Sequence, residues 1–423
     1  MYKATKLKNG VNVYVVPMPS AETVTVLVLV RAGSKYETKR TNGLSHFLEH
    51  MFFKGTEKRP TPRSVAEVLD NVGGEYNAFT DKERTGYYAK VDAKHLGLAV
   101  DWVADMLLHS TFQTPELERE KGVIQQELSM YYDTPTSYIE DVFEALLYGD
   151  QPAGWDIGGT KATVAGVTRR NLLHYLNRRY VGSATTIVVA GNLAAAKTQR
   201  LIERSFAGLK RGAAPDKPAV REKQLKPAIK LHTKATDQSH LMLGVRSVNA
   251  YDKRRYAAAL LATILGGNMS SRLFTSLREE KGLAYYVSTG VQHYTDTGYL
   301  ATNAGVPNDK LAEAVSIIMN EYEILKRELV SLQELTKAKD YIKGKTVIGL
   351  ESSSSVAAFV GNQALLYKKA EPIDSFLKKI NRVTAAELQS LANELFTNQN
   401  LSLALIGPKG QDKLARSALR FRR

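Results

Sequence analysis

The residues His46-Phe47-Leu48-Glu49-His50 place two imidazoles four positions apart, with a carboxylate next to the second. On a helix, positions i and i+4 share a face. Both rings could then reach one ion at the ~2.0–2.1 Å usual for zinc–imidazole bonds. Glu49 would project beside that ion and could take a proton from a water whose pKa zinc lowers towards ~7. With 8 His and 26 Glu in the chain, chance supplies such a motif on the order of 0.01 times. The run 44–51 has no Pro or Gly, and Thr41-Asn42-Gly43 before it can begin a helix. A charged Glu49 set among Phe47, Leu48, Met51, Phe52 and Phe53 is costly in a helix that merely packs.

A catalytic zinc takes three protein ligands and keeps one open position. The chain has no cysteine, which excludes disulfides, Cys–zinc sites, iron–sulfur clusters and thiol nucleophiles. The third ligand must therefore be His, Glu or Asp. The segment after Pro115 offers Glu116, Glu118, Glu120 and Glu127. Glu116 and Glu118 suit a solvated face. Glu120 and Glu127 lie seven apart, two helical turns, on one face. One can ligate and the other support it, and spacing alone does not choose between them.

The elements that must hold these side chains divide the 423 residues into two similar halves. Each half opens with an apolar strand (24–30 and 240–245). Apolar-periodic helices follow at 44–53 and 256–265, at 96–108 and 311–325, and at 115–131 and 332–347. Each half ends with a helix and a strand closed by glycine: 169–180 then 186–190, and 385–396 then 401–406. The offset is about 215 residues, the signature of a duplicated α+β domain. Gly208, Gly212, Pro215, Pro218 and Pro227 mark a linker between them. The expected division is a zinc-binding domain at 1–210, a linker at 211–227, and a homologous domain without metal at 228–423.

The chain is 43% hydrophobic and 24% charged, a globular mix. No run of 18 apolar residues and no apolar leader is present, so neither membrane insertion nor secretion is expected. The expected location is the cytoplasm. The net charge of +15 comes from 58 basic and 43 acidic side chains. They are spread without a concentrated stripe or binding motif, so no nucleic-acid partner is expected. The cluster from Arg416 to Arg423 reads as a frayed tail.

Taken together, the motifs resemble the M16 family of zinc peptidases, which includes pitrilysin, insulin-degrading enzyme and the mitochondrial processing peptidase. The likeness runs through Ala32-Gly33-Ser34, the segment Gly43 to Met51, Phe53-Lys54-Gly55-Thr56, Asn77-Ala78-Phe79-Thr80 and Glu118-Arg119-Glu120 to Glu127. It covers nearly the whole chain, and the short bacterial-type members are most similar. The resemblance makes Glu127 the third ligand, 77 residues beyond His50, and Glu120 its supporting neighbour. It makes Asn77, Ala78 and Phe79 part of an edge strand that pairs with substrate backbone. In the second half, Leu277-Arg278-Glu279-Glu280-Lys281-Gly282-Leu283-Ala284-Tyr285 resembles the segment whose Arg and Tyr bind substrate at the zinc site. Arg278 brings five donors, and the Tyr285 hydroxyl can steady an oxyanion.

The resemblance implies a fold of two similar domains, each a mainly antiparallel sheet packed with helices, pairing into a clamshell. It implies one Zn2+ per chain, because helix 256–265 has no His and Lys343 and Lys345 stand near the position matching Glu127. It implies an endopeptidase that cleaves unfolded peptides in an enclosed chamber, with zinc-water attack and Glu49 as general base. A homodimer whose sites are shared between chains is expected, since both half-sites occur in one half-length chain. The competing reading is a non-catalytic scaffold or processing-complex core subunit of the same fold.

Overall fold

Six of the eight residues in Thr23-Val24-Thr25-Val26-Leu27-Val28-Leu29-Val30 are β-branched, which suits a pleated strand packed on both faces. In the computed structural model, which describes residues 2–367 and 370–421, every residue from Val24 to Val30 is buried. This strand, β3 (Thr23–Val30), lies inside a six-stranded sheet with β1 (Lys3–Lys6), β2 (Asn12–Pro17), β4 (Glu75–Thr80), β5 (Thr85–Asp92) and β6 (Thr185–Gly191). The order is β1-β2-β6-β3-β5-β4. All neighbours are antiparallel except the parallel pair β2–β6.

A second sheet is built from β7 (Ala228–Thr233), β8 (Gln238–Arg246), β9 (Tyr286–His293), β10 (Gly298–Pro307) and β11 (Ser402–Gly407). Its order is β7-β11-β8-β10-β9, with β7–β11 as its one parallel pair. Strand for strand this repeats β2-β6-β3-β5-β4, so the chain is a duplicated α+β fold.

The compact units are not contiguous stretches of sequence. One comprises residues 1–129, 156–218 and 347–372, and the other 130–155, 219–346 and 373–423. In the first, the helix Leu96–His109 packs on β3 and β5. The opposite face, with Leu27, Leu29, Val188 and Ala190, is covered by Ala357, Val360, Ala364 and Leu365 of the helix Ser353–Leu366. In the second unit, Ile139, Val142, Phe143 and Leu147 of the helix Pro135–Tyr148 cover Met242, Tyr299, Ala301, Ala404 and Ile406. Each sheet is thus covered on one face by a helix from the other half of the sequence. An apolar sheet face needs a helix, and residues 206–227 supply neither helix nor strand.

The carboxyl-terminal segment is docked, which corrects the expectation of a frayed tail. It begins with the helix Gln411–Arg416, and beyond that helix Leu419 and Phe421 are buried. The Phe421 amide donates to Asn398 Oδ1 at 2.7 Å, so two apolar side chains anchor the basic run. Arg422 and Arg423 lie outside the described residues. Among the described residues, no helix is long and apolar enough to cross a membrane.

Candidate metal centre

The helix Leu44–Phe52 turns its apolar residues inward: Leu44, Phe47, Leu48, Met51 and Phe52 are buried. The 3.6-residue period then leaves His46, Glu49 and His50 on the partly open side. The long helix Thr114–Asp133 is anchored by buried Leu117, Ile124 and Leu128. Its Glu120 and Glu127 approach the two histidines.

His46 Nε2 and His50 Nε2 lie 3.3 Å apart. Glu127 Oε2 is 3.7 Å from the first and 3.4 Å from the second. Tetrahedral zinc with bonds of ~2.0–2.2 Å has ligand–ligand edges of about 3.3–3.6 Å. The donor atoms therefore sit close to three corners of such a tetrahedron. Among the described residues, this is the group of His, Asp and Glu placed to hold a metal ion. The matching helix of the second unit, Arg255–Gly266, carries neither His nor Glu.

Glu120 occupies a different place. Its Oε1 meets His50 Nδ1 at 2.8 Å, and its Oε2 accepts from Lys54 Nζ at 2.6 Å. A carboxylate on the far ring nitrogen fixes the tautomer that leaves Nε2 free for a metal. The helix Thr114–Asp133 thus presents Glu127 to the ring nitrogens at the centre and Glu120 behind one of them. Lys54 lies in the turn just past the end of the helix Leu44–Phe52, so helical spacing in the sequence does not point to it.

Glu49 Oε2 accepts a hydrogen bond of 2.5 Å from the Thr80 hydroxyl. Burial pushes the Glu49 carboxyl up, and the Thr80 bond and His50 pull it back only in part. Burial lowers His46 to about 4, helped by His50. Burial acts the same way on His50, but hydrogen bonds and charges from Glu120 and Glu127 outweigh it and raise it to about 9. Glu127 is lowered chiefly by its bond to His50.

Thr80 ends β4, the edge strand of the first sheet. Asn77, Ala78 and Phe79 are on this strand, so their segment keeps one side without a neighbouring strand and runs to the base candidate. Asn77 Oδ1 accepts from the Ala78 amide at 2.8 Å. Arg278 and Tyr285 belong to the second unit. Arg278 lies on a π-helical turn, Phe274–Glu280, with its guanidinium 5.0 Å from the Phe274 ring centre. Tyr285 precedes β9, its amide donates to Gly305 O, and the residue is 76% exposed.

Residues 13–161 match the family model described as Insulinase (Peptidase family M16), and residues 166–342 match Peptidase M16 inactive domain. An uncharacterised zinc protease of Bacillus subtilis, YmxG, is 37% identical over 97% of this chain and 99% of its own length. An uncharacterised zinc protease of Mycobacterium leprae is 35% identical over 99% and 94%. Among solved structures, a protease from Helicobacter pylori superposes with a TM-score of 0.90 at 23% identity, covering 96% of this chain and 99% of that one. A chain of Complex III2 from Candida albicans gives 0.85 at 18% identity, covering 99% and 100%. At those identities the structures speak for the fold, while the full-length relatives carry the family assignment: the chain belongs to peptidase family M16.

Proposed function

We propose that the protein is a zinc-dependent endopeptidase, acting on unfolded peptides, with one zinc per chain held by His46, His50 and Glu127. The observation that carries this reading is the spacing of three donor atoms, 3.3–3.7 Å apart, beside the half-buried Glu49 carboxylate. Zinc bound there supplies a water of lowered pKa and polarises a carbonyl. Glu49 takes the proton of the attacking water and passes it to the leaving amine. Thr80 keeps that carboxylate at the end of β4. The edge of β4 gives an extended peptide main-chain partners without a side-chain requirement. Arg278 and Tyr285 supply donors for carbonyl oxygens. The test is zinc content together with cleavage of a quenched peptide before and after chelator. Zinc-loaded protein that cleaves nothing across a varied peptide set refutes the reading.

The likeness to a chain of Complex III2 favours a second reading, a scaffold subunit. It predicts no zinc uptake and no hydrolysis. The assembled His46, Glu49, His50 and Glu127 set weighs against it.

The two glutamates differ in what they should do. Glu127→Gln removes a charged donor and should weaken zinc roughly 10-fold or more, whereas Glu120→Gln should act more weakly through the orientation of His50. Zinc competition with a fluorescent chelator measures both. An empty site in Glu120→Gln beside a full one in Glu127→Gln would reverse the assignment.

Zinc uptake should also release protons. Metal-free His50 keeps its proton up to about 9, and His46 has lost its own above about 4. Near pH 7 zinc must displace the His50 proton, so apparent affinity should rise with pH and level above about 9. Calorimetry in buffers of different ionisation enthalpy should find about one proton released per zinc. No release at pH 7 would contradict this.

A further inference from the structure

The metal helix, like several others, has no side-chain cap from the residue before it. Thr61, Thr160, Thr168, Ser352 and Thr384 each cap the helix they precede with their own side chain. Before Leu44–Phe52 stands Gly43, in the left-handed region at φ 96°, with no side chain to offer. A Cβ there would lie 2.6 Å from the Gly158 carbonyl oxygen. The cap comes instead from Glu37, six residues upstream and only 2% exposed.

Four donors converge on this carboxylate. Oε2 accepts from the Gly43 amide at 2.8 Å and from Asn42 Nδ2 at 3.2 Å. Oε1 accepts from the Ser45 amide at 2.6 Å and the Ser45 hydroxyl at 2.7 Å. The Tyr175 hydroxyl lies 2.6 Å from Ser45 Oγ, so the chain of hydroxyls reaches a second helix, Arg169–Arg179. Burying a carboxylate is unfavourable unless it is fully bonded. The helix N-terminus offers both bonds and a favourable dipole.

Glu37 is itself tied to the sheet. It follows the short turn Ser34–Tyr36 at the end of β3. Within that turn the Lys35 amide donates to Lys82 O at 2.9 Å, and Lys35 Nζ pairs with Glu83 at 2.9 Å. The Lys82–Glu83 turn joins β4 to β5. The same sheet grips the metal helix again where Thr80 binds Glu49.

Building on the zinc peptidase reading, we propose that Glu37 is a positioning residue. It fixes the metal helix along its axis relative to the sheet, so that Glu49 and both histidines meet β4 and Glu127 in register. Glu37→Gln keeps the size but sets an amide N–H against converging donors. Glu37→Asp keeps the charge and falls one methylene short.

The experiment compares both with wild type and with Thr384→Ala, which removes an ordinary surface cap in the second unit. Three readouts are taken: kcat and KM per bound metal, the visible spectrum of the cobalt(II)-substituted protein, and amide exchange of metal-free protein at Gly43 and Ser45. In Glu37→Gln, kcat should fall about 10- to 100-fold with KM within about threefold. The cobalt bands should change, and exchange at Gly43 and Ser45 should quicken at least ~10-fold. Glu37→Asp should recover part of the loss, and Thr384→Ala should keep kcat within about twofold. A Glu37→Gln enzyme with wild-type kcat and unaltered cobalt bands overturns the proposal. Should that variant fail to fold, Ser45→Ala replaces it, and kcat within about twofold of wild type overturns the proposal. If the wild-type chain takes up no metal, the peptidase reading fails. Exchange in the metal-free variants then decides the role of Glu37, and unchanged rates at Gly43 and Ser45 refute it.

Discussion

Glu49→Gln should leave one zinc per chain and lower peptide hydrolysis by at least ~10²-fold, the usual scale for losing a general base. Zinc retention follows from the geometry, since the three donor atoms belong to His46, His50 and Glu127. The substitution is close to isosteric. The amide oxygen of the replacement side chain can still accept from Thr80, so the end of β4 should not move. What disappears is a basic oxygen able to accept and return a proton. Steady-state kinetics with metal analysis on one preparation checks both parts. Wild-type turnover in zinc-loaded Glu49→Gln would remove Glu49 from the reaction.

Mixing two inactive variants should restore activity if the working enzyme is a homodimer with shared sites. The proposal is that the zinc half of one chain is completed by Arg278 and Tyr285 of the partner subunit. Glu49→Gln and Arg278→Ala would each be nearly silent alone. After random exchange at equal concentration, half of the dimers are mixed, and one of their two sites has intact Glu49 and intact Arg278. Recovery should approach about a quarter of wild-type activity. Subunit exchange, followed by a fluorescent label, must be shown in the same sample. Exchange without recovery refutes the shared site, as does a monomer that keeps full activity at nanomolar dilution.

The local periodicities were legible without coordinates. The His46, Glu49, His50 triplet follows from helical spacing, and the apolar residues between them say which side faces inward. The run 24–30 reads as a strand because it is almost wholly apolar, and the structure extends it only to Thr23. The duplication could be read from the order of elements, since each half repeats the same alternation of strand and helix. The absence of cysteine restricted any metal to His and carboxylate ligands.

Other features depend on contacts that no local pattern encodes. Glu120 and Glu127 share one helix face, so periodicity treats them alike. Only the packing of Thr114–Asp133 against the metal helix sets Glu127 beside Nε2 of both histidines and Glu120 on Nδ1 of His50. The exchange of the helices Pro135–Tyr148 and Ser353–Leu366 is equally hidden, because an amphipathic helix shows that it needs an apolar partner but not which sheet provides it. Glu37 looks like an ordinary loop carboxylate until the fold buries it under the Gly43 and Ser45 amides. Residue types and their periods establish which side chains could do the chemistry and which elements carry them. Packing selects which of two equivalent glutamates meets the histidines and what holds their helix, because those choices rest on distances between segments far apart in the chain.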